Sequence, residues 1–121
     1  MVLAFIEHGT VELHESEETA AAAWPGLDVA AGVVSFYRDD GIYLEPIFTV
    51  PNRDVRLLGF SMWKRSGTYH LAPQPNAEED PLWLALLEHP DLKPSLGFST
   101  TDQLKRYLVS KGVVVEKPAS V

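Results

Sequence analysis

The stretch from residue 33 to residue 50 constrains the fold more than any other. Residues 33–37 are a run of strand formers. Arg38-Asp39-Asp40-Gly41 follows as a turn, because Asp bonds its own backbone locally and Gly41 reaches positive φ without a Cβ clash. Residues 42–50 then return. Two strand-forming runs around an Asp-Gly turn specify a β-hairpin, on or beside which the other segments must pack.

Alternation supplies the neighbours of this hairpin. Residues 2–6 read as a first strand. Residues 10–14 place Val11 and Leu13 on one face and Thr10, Glu12 and His14 on the other, as a half-buried strand does. Residues 55–64 carry Leu57 on one face and Leu58, Phe60 and Met62 on the other, which predicts the interior strand of the sheet. Arg65-Ser66-Gly67 turns that strand into a return at 68–72. Pro46 removes a ladder donor, so the strand that holds it belongs at an edge or a bulge. Residues 113–115 are expected to add a short last strand.

Three helices are expected. Ser16 caps one that ends at Trp24-Pro25-Gly26, with Glu17 and Glu18 at the positive end of its dipole. Asp80-Pro81 starts a second over 81–88, apolar almost all round, and His89-Pro90 ends it. Thr100 and Gln103 have capping-box spacing ahead of a third, with Leu104, Tyr107 and Leu108 on its apolar face and Gly112 at its C-terminus. The expected fold is α+β: an antiparallel sheet of five or six strands in a meander of hairpins, with about three helices. A chain of 121 residues can bury a core of its own, and a single domain is expected over 1–115 with a frayed tail at 116–121.

Composition narrows the chemistry. The chain has no cysteine, hence no disulfide, thiolate nucleophile or cysteine-held metal, and this fits a cytoplasmic location. The first residues lack a basic segment and a signal-length apolar run, and no stretch approaches the length of a membrane span. Net charge is −7, which disfavours nucleic acid and anionic lipid as partners unless the positive charge is concentrated. Residues 1–50 hold nine acids against one base, Arg38, whereas residues 51–121 hold eight acids and nine bases. Such a run usually solubilises a face; its sharper reading is a surface that meets a basic protein partner. The residues for that surface are Glu12, Glu15, Glu17, Glu18, Asp39 and Asp40, with Trp63 as the tryptophan expected to be exposed near a hairpin tip.

No nucleophile elbow, phosphate loop or dinucleotide fingerprint is present, and no catalytic residue, cofactor or metal is expected. His8, Glu12 and His14 could share a strand face, but Gly9 interrupts the straight run that converging metal ligands need. Asp39-Asp40 and Glu78-Glu79-Asp80 sit where turn and cap chemistry explains them. A second reading is a small-molecule or enzymatic pocket under the 81–88 helix, lined by Tyr69, Trp83 and Leu86. A third is a homodimer, through the Pro46 edge or through the apolar 82–87 helix.

Residues 9–16, then Glu17-Glu18-Thr19-Ala20-Ala21, Leu27-Asp28-Val29 and residues 36–41, together resemble a layout found in small bacterial proteins of unknown function. Some of those resemble immunity proteins of toxin–immunity pairs. The resemblance covers about the first third of the chain, departs from that layout at Trp24-Pro25, and assigns no functional residue. Small size, the absence of a catalytic motif and the one-sided acidic half point to a non-enzymatic protein-binding domain, with a toxin-neutralising immunity protein as its sharper form.

Overall fold

Val2, Leu3, Ala4 and Phe5 are all buried, so both faces of the first strand are covered and it sits at the centre of the fold. The computed structural model of the protein describes residues 1–119, the side chains of residues 55–57 and 60–63 excepted. In chain order the elements are β1 (Val2–Ile6), β2 (Thr10–His14), α1 (Glu17–Ala23), α2 (Gly26–Ala30), β3 (Val34–Arg38) and β4 (Tyr43–Val50). Then come β5 (Arg53–Leu57), β6 (Phe60–Arg65), β7 (Thr68–Pro73), α3 (Leu82–Glu88), β8 (Asp91–Leu92) and α4 (Thr101–Ser110). The fold is α+β. Six strands form a mostly antiparallel sheet in the order β7-β4-β3-β1-β2-β8, and β5 with β6 form a small second sheet. Only the β2–β8 pair is parallel.

The register sorts the apolar residues into two cores. Leu3, Phe5, Val11, Leu13 and Tyr37 face one way, against Leu82, Ala85 and Leu86 of α3 and Leu104 and Leu108 of α4. Val2, Ala4, Val34, Phe36, Leu44, Tyr69 and Leu71 face the other way, against Ala20 of α1 and Val29 of α2. The sheet is thus the middle of three layers. The expected Ser16 cap forms, completed by Thr19 as a capping box, and the expected capping box of Thr100 with Gln103 forms as well. The 33–50 hairpin also forms; Gly41 takes φ 89, and Arg38 N–H donates to the Ile42 carbonyl at 2.8 Å.

The chain departs from expectation in the middle. Residues 55–64 are not the interior strand, and 55–72 is not a hairpin turning at Ser66-Gly67. The turn is at Leu58-Gly59, both with positive φ as a two-residue hairpin turn of right-handed twist requires. Arg53 faces Arg65 in the same register in which Val50 faces Thr68, so β4-β5 and β6-β7 form one long ribbon interrupted at residues 51–52 and 66–67. Beyond that interruption β5 and β6 form an arm that pairs only with itself.

β4 is not the last strand of the sheet, since it lies between β3 and β7, but Pro46 pairs with β7 alone and leaves its β3 side as a local edge. The Arg38–Ile42 bond sets the phase of the β3–β4 ladder, and Pro46 falls where the next donor to β3 would be; the ladder stops at Leu44. A bulge follows between Phe48 and Val50. Pro25 caps a short fourth helix, α2, where only a connection was expected. At α3 it is Pro81, not Asp80, that occupies the cap position. Residues 113–115 form no strand; Val115 is buried against the core instead. Among the described residues no helix is long and apolar enough to cross a membrane.

Candidate functional site

β7 ends the sheet, and α1 lies across it. The helix approaches closely because its inward face is alanine, with Ala20 fully buried. An open groove of about 650 Å³ runs between the two, floored by Ala21, Ala22, Trp24, Tyr69 and Leu71. Glu17 and Glu18 line one end and Ser66 and Gly67 the other. Thr68 and His70 line it as well as Tyr69 and Leu71. Residues of both parities contribute, so the groove wraps the open edge of β7 and does not merely sit on one face.

The backbone of that edge is readable from the ladder. Gln74 N–H donates to the Tyr43 carbonyl at 2.9 Å, which makes Leu44–Pro73 a pair that does not exchange bonds. His70 and Ala72 therefore bond to β4, while Tyr69 and Leu71 direct N–H and C=O outward. Pro73, which has no N–H, also falls at an outward position. Tyr69 is fixed by its hydroxyl, which donates to the Trp24 carbonyl at 2.8 Å, and burial pushes its pKa up to about 12. The Trp24 indole Nε1 is buried without a partner among the described residues.

The groove is held at its lower end by a three-way clasp. Gly67 N–H donates to Asn52 Oδ1 at 2.7 Å, and Asn52 Nδ2 donates to the Gly26 carbonyl at 3.0 Å. Both glycines are there for space: a Cβ on Gly67 would lie 1.9 Å from the Val50 carbonyl oxygen, and one on Gly26 would lie 2.7 Å from Asn52 Oδ1.

The expected acidic surface is only partly assembled. Val2 faces both His14 and Arg38, so the β2–α1 junction and the β3–β4 turn do lie at one end of the sheet. Glu15, Glu17 and Glu18 are there, none of them in an ion pair among the described residues, and Glu17 and Glu18 line the groove. Asp40 is spent on Arg38, which donates to its Oδ2 from Nε at 2.9 Å and Nη2 at 2.7 Å. That bond holds the Asp40 carboxyl below its usual value and lifts Arg38 above its own. Glu12 is half-buried beside Lys93, at 3.6 Å, and His14, whose Nε2 lies 2.8 Å away without hydrogen-bond geometry. His8 is exposed beside Glu7 and does not join them.

Asp39 is a correction. It is 6 % exposed and faces α4, not a partner. Tyr107 donates to its Oδ2 at 2.6 Å, Lys111 Nζ lies at 3.2 Å and the Met1 ammonium at 3.5 Å. Burial pushes this carboxyl up, but the Tyr107 and Lys111 bonds and the ammonium charge outweigh it and leave it below the usual value. Asp39 therefore ties the chain start and α4 to the end of β3.

The pocket expected from Tyr69, Trp83 and Leu86 does not form. Tyr69 belongs to the core under α1 and Leu86 to the core under α3, on opposite faces of the sheet, and Trp83 is half-buried on α3. The apolar 82–87 helix is mostly consumed by the core; Leu87 is its exposed large residue. The expectation for Trp63 falls on a side chain outside the described residues. Among the described residues no group of three metal-ligating side chains converges. Comparison of the chain with protein-family models, with curated proteins and with solved structures gave no match to any of them.

Proposed function

We propose that this chain is a protein-binding domain and that the groove between α1 and β7 receives its partner. The observation that carries this reading is a strand edge with unused N–H and C=O groups at Tyr69 and Leu71, running beside an apolar floor. An extended segment laid along such an edge gains backbone bonds from the edge and side-chain specificity from the groove. Glu17 and Glu18 line the groove and, among the described residues, no Lys or Arg does, so a basic segment is the matching chemistry. A toxin-neutralising role is the narrower form of this proposal. It is supported by the charge of the acidic half and by the resemblance of residues 9–21, 27–29 and 36–41 to small bacterial proteins of unknown function, some of which resemble immunity proteins.

The groove's volume also suits a small molecule. Against that reading, the groove lies open along a strand edge, and the Tyr69 hydroxyl on its floor is already committed to Trp24.

The test is calorimetric titration with two short β-forming peptides of alternating pattern, one cationic and one anionic. The cationic peptide should bind, more weakly as salt rises, and Glu17→Gln with Glu18→Gln should lower both its affinity and its salt dependence. Equal binding of the two peptides, or none, refutes the proposal. The narrower form requires that a basic toxin encoded beside this chain bind it and lose its toxicity; binding without neutralisation refutes that form alone.

A further inference from the structure

Charge is segregated in this molecule more sharply than the sequence halves suggest. The arm and its turn, residues 53–65, hold four bases and one acid, so they carry +3 and the rest of the chain carries −10. Arg53, Lys64 and Arg65 are all exposed. The arm pairs with no strand of the main sheet, so the outer edges of β5 and β6 are open, as is that of β7. Its tip is costly to build as it stands: Leu58 takes φ 54, a region disfavoured for a residue with a Cβ, and it is 89 % exposed. A strained, exposed apolar residue at the end of a basic ribbon is a feature of contact surfaces.

We propose that the arm of a second copy of this chain occupies the groove and adds as a strand to β7, reciprocally in a two-fold dimer. This rests on the groove being a protein-binding surface, and it names one protein that fits it. The dimensions agree: five residues of β5 extend to about 17 Å, and the six residues of β7 offer about 20 Å of edge. The charges agree as well, since the basic arm would meet Glu17 and Glu18. Its own groove begins at Ser66, directly at the root of the arm, which leaves no length of chain to fold back into it. A second copy has no such tether. Pairing two open edges also removes the aggregation hazard that each presents alone. An external basic partner would then compete with the second copy's arm for the same groove.

Charge reversal tests this with each fold left intact. One variant carries Arg53→Glu, Lys64→Glu and Arg65→Glu; the other carries Glu17→Lys and Glu18→Lys. The parent should be dimeric by sedimentation at micromolar concentration and should dissociate as salt rises. Each variant alone sets like charges against each other and should be monomeric, with its dimer constant weakened about tenfold or more. Mixed together, both contacts become complementary again, and native mass spectrometry should show the heterodimer in excess over either homodimer. Because the chain has no cysteine, a second measurement needs no background removal: Ala22→Cys protein mixed with Lys64→Cys protein should oxidise to the mixed disulfide faster than either protein links to itself. A parent that stays monomeric overturns the proposal, and so does a dimer that survives either reversal. If a monomeric parent binds duplex DNA through the arm, the proposal is likewise overturned in favour of nucleic acid. A monomeric parent that still binds the cationic peptide overturns the dimer and leaves the protein-binding reading intact.

Discussion

Substituting Gly67 by Ala should be the most damaging single-methyl change in the chain. The added Cβ would lie 1.9 Å from the Val50 carbonyl oxygen, 2.6 Å from the Pro51 carbonyl carbon and 2.8 Å from the Asn52 nitrogen. All three are backbone atoms, which cannot swing aside as a side chain does, so β4 and β7 must separate at the root of the arm. Overpacking of this kind costs about 1–3 kcal/mol. Separation also breaks the 2.7 Å bond from Gly67 N–H to Asn52 and loosens the Asn52 bond to Gly26, at about 1 kcal/mol each. The sum is about 3–5 kcal/mol, a large part of a typical domain's stability. Asn52→Ala breaks the same two bonds without the collision and should cost about 2 kcal/mol. Gly59→Ala isolates backbone strain: its φ is +81 and nothing lies within 4 Å of the new Cβ, so about 1 kcal/mol is expected. Urea unfolding of the three variants provides the comparison. Gly67→Ala no worse than Gly59→Ala would refute the clasp as a structural constraint.

Leu58→Asn replaces a residue strained at φ 54 by one that tolerates that region, and should raise unfolding free energy by about 0.5–1 kcal/mol; an unchanged urea midpoint would contradict it. Asp39 has a carboxyl held below its usual value, so it stabilises the fold above the ordinary carboxylate range, and this is lost as pH falls through the folded value. Asp39→Asn should cost about 2 kcal/mol at neutral pH and converge on the parent in acid, measured by thermal unfolding across pH. Tyr37 and Tyr69 have pKa values pushed up to about 12, so stability should fall as pH rises from about 10 through 12, and ultraviolet titration should show both of these tyrosines ionising late.

Local signals were legible where chemistry is local. The Ser16 cap, the Thr100 capping box, the Asp40-Gly41 turn and the Gly112 helix end each depend on residues within a few positions of one another. The interior strand was misplaced because residues 55–64 carry large apolar groups on both parities, which suggests burial. Val2-Leu3-Ala4-Phe5 does the same with no polar residue at all, and that continuous run was the stronger sign of a strand covered on both faces. The hairpin tip was missed because Leu58-Gly59 lacks the Asn or Asp that usually marks such turns.

The groove was not legible. It is formed by α1, by an edge that exists only because β7 crosses back to β4, and by a clasp joining residues 26, 52 and 67. Gly26 and Gly67 read as a helix stop and a turn; nothing local says that each is needed for a backbone approach. The buried role of Asp39 was hidden for the same reason, since its partners Tyr107 and Lys111 lie on the last helix. Among the acids, sequence separates none of those spent inside the fold from Glu17 and Glu18, which line the groove.

Strand addition at β7 can be tested amide by amide. In the free protein the ladder leaves Tyr69 and Leu71 N–H groups outward and unbonded while His70 and Ala72 bond to β4. Hydrogen exchange followed by NMR, below the concentration of self-association, should therefore alternate along the strand, fast at 69 and 71 and slow at 70 and 72. Saturation with the cationic β-forming peptide should slow exchange at Tyr69 and Leu71 and leave His70 and Ala72 unchanged. Binding that leaves Tyr69 and Leu71 exchanging at their free rates would contradict the account, because the partner would then be held somewhere other than the edge of β7.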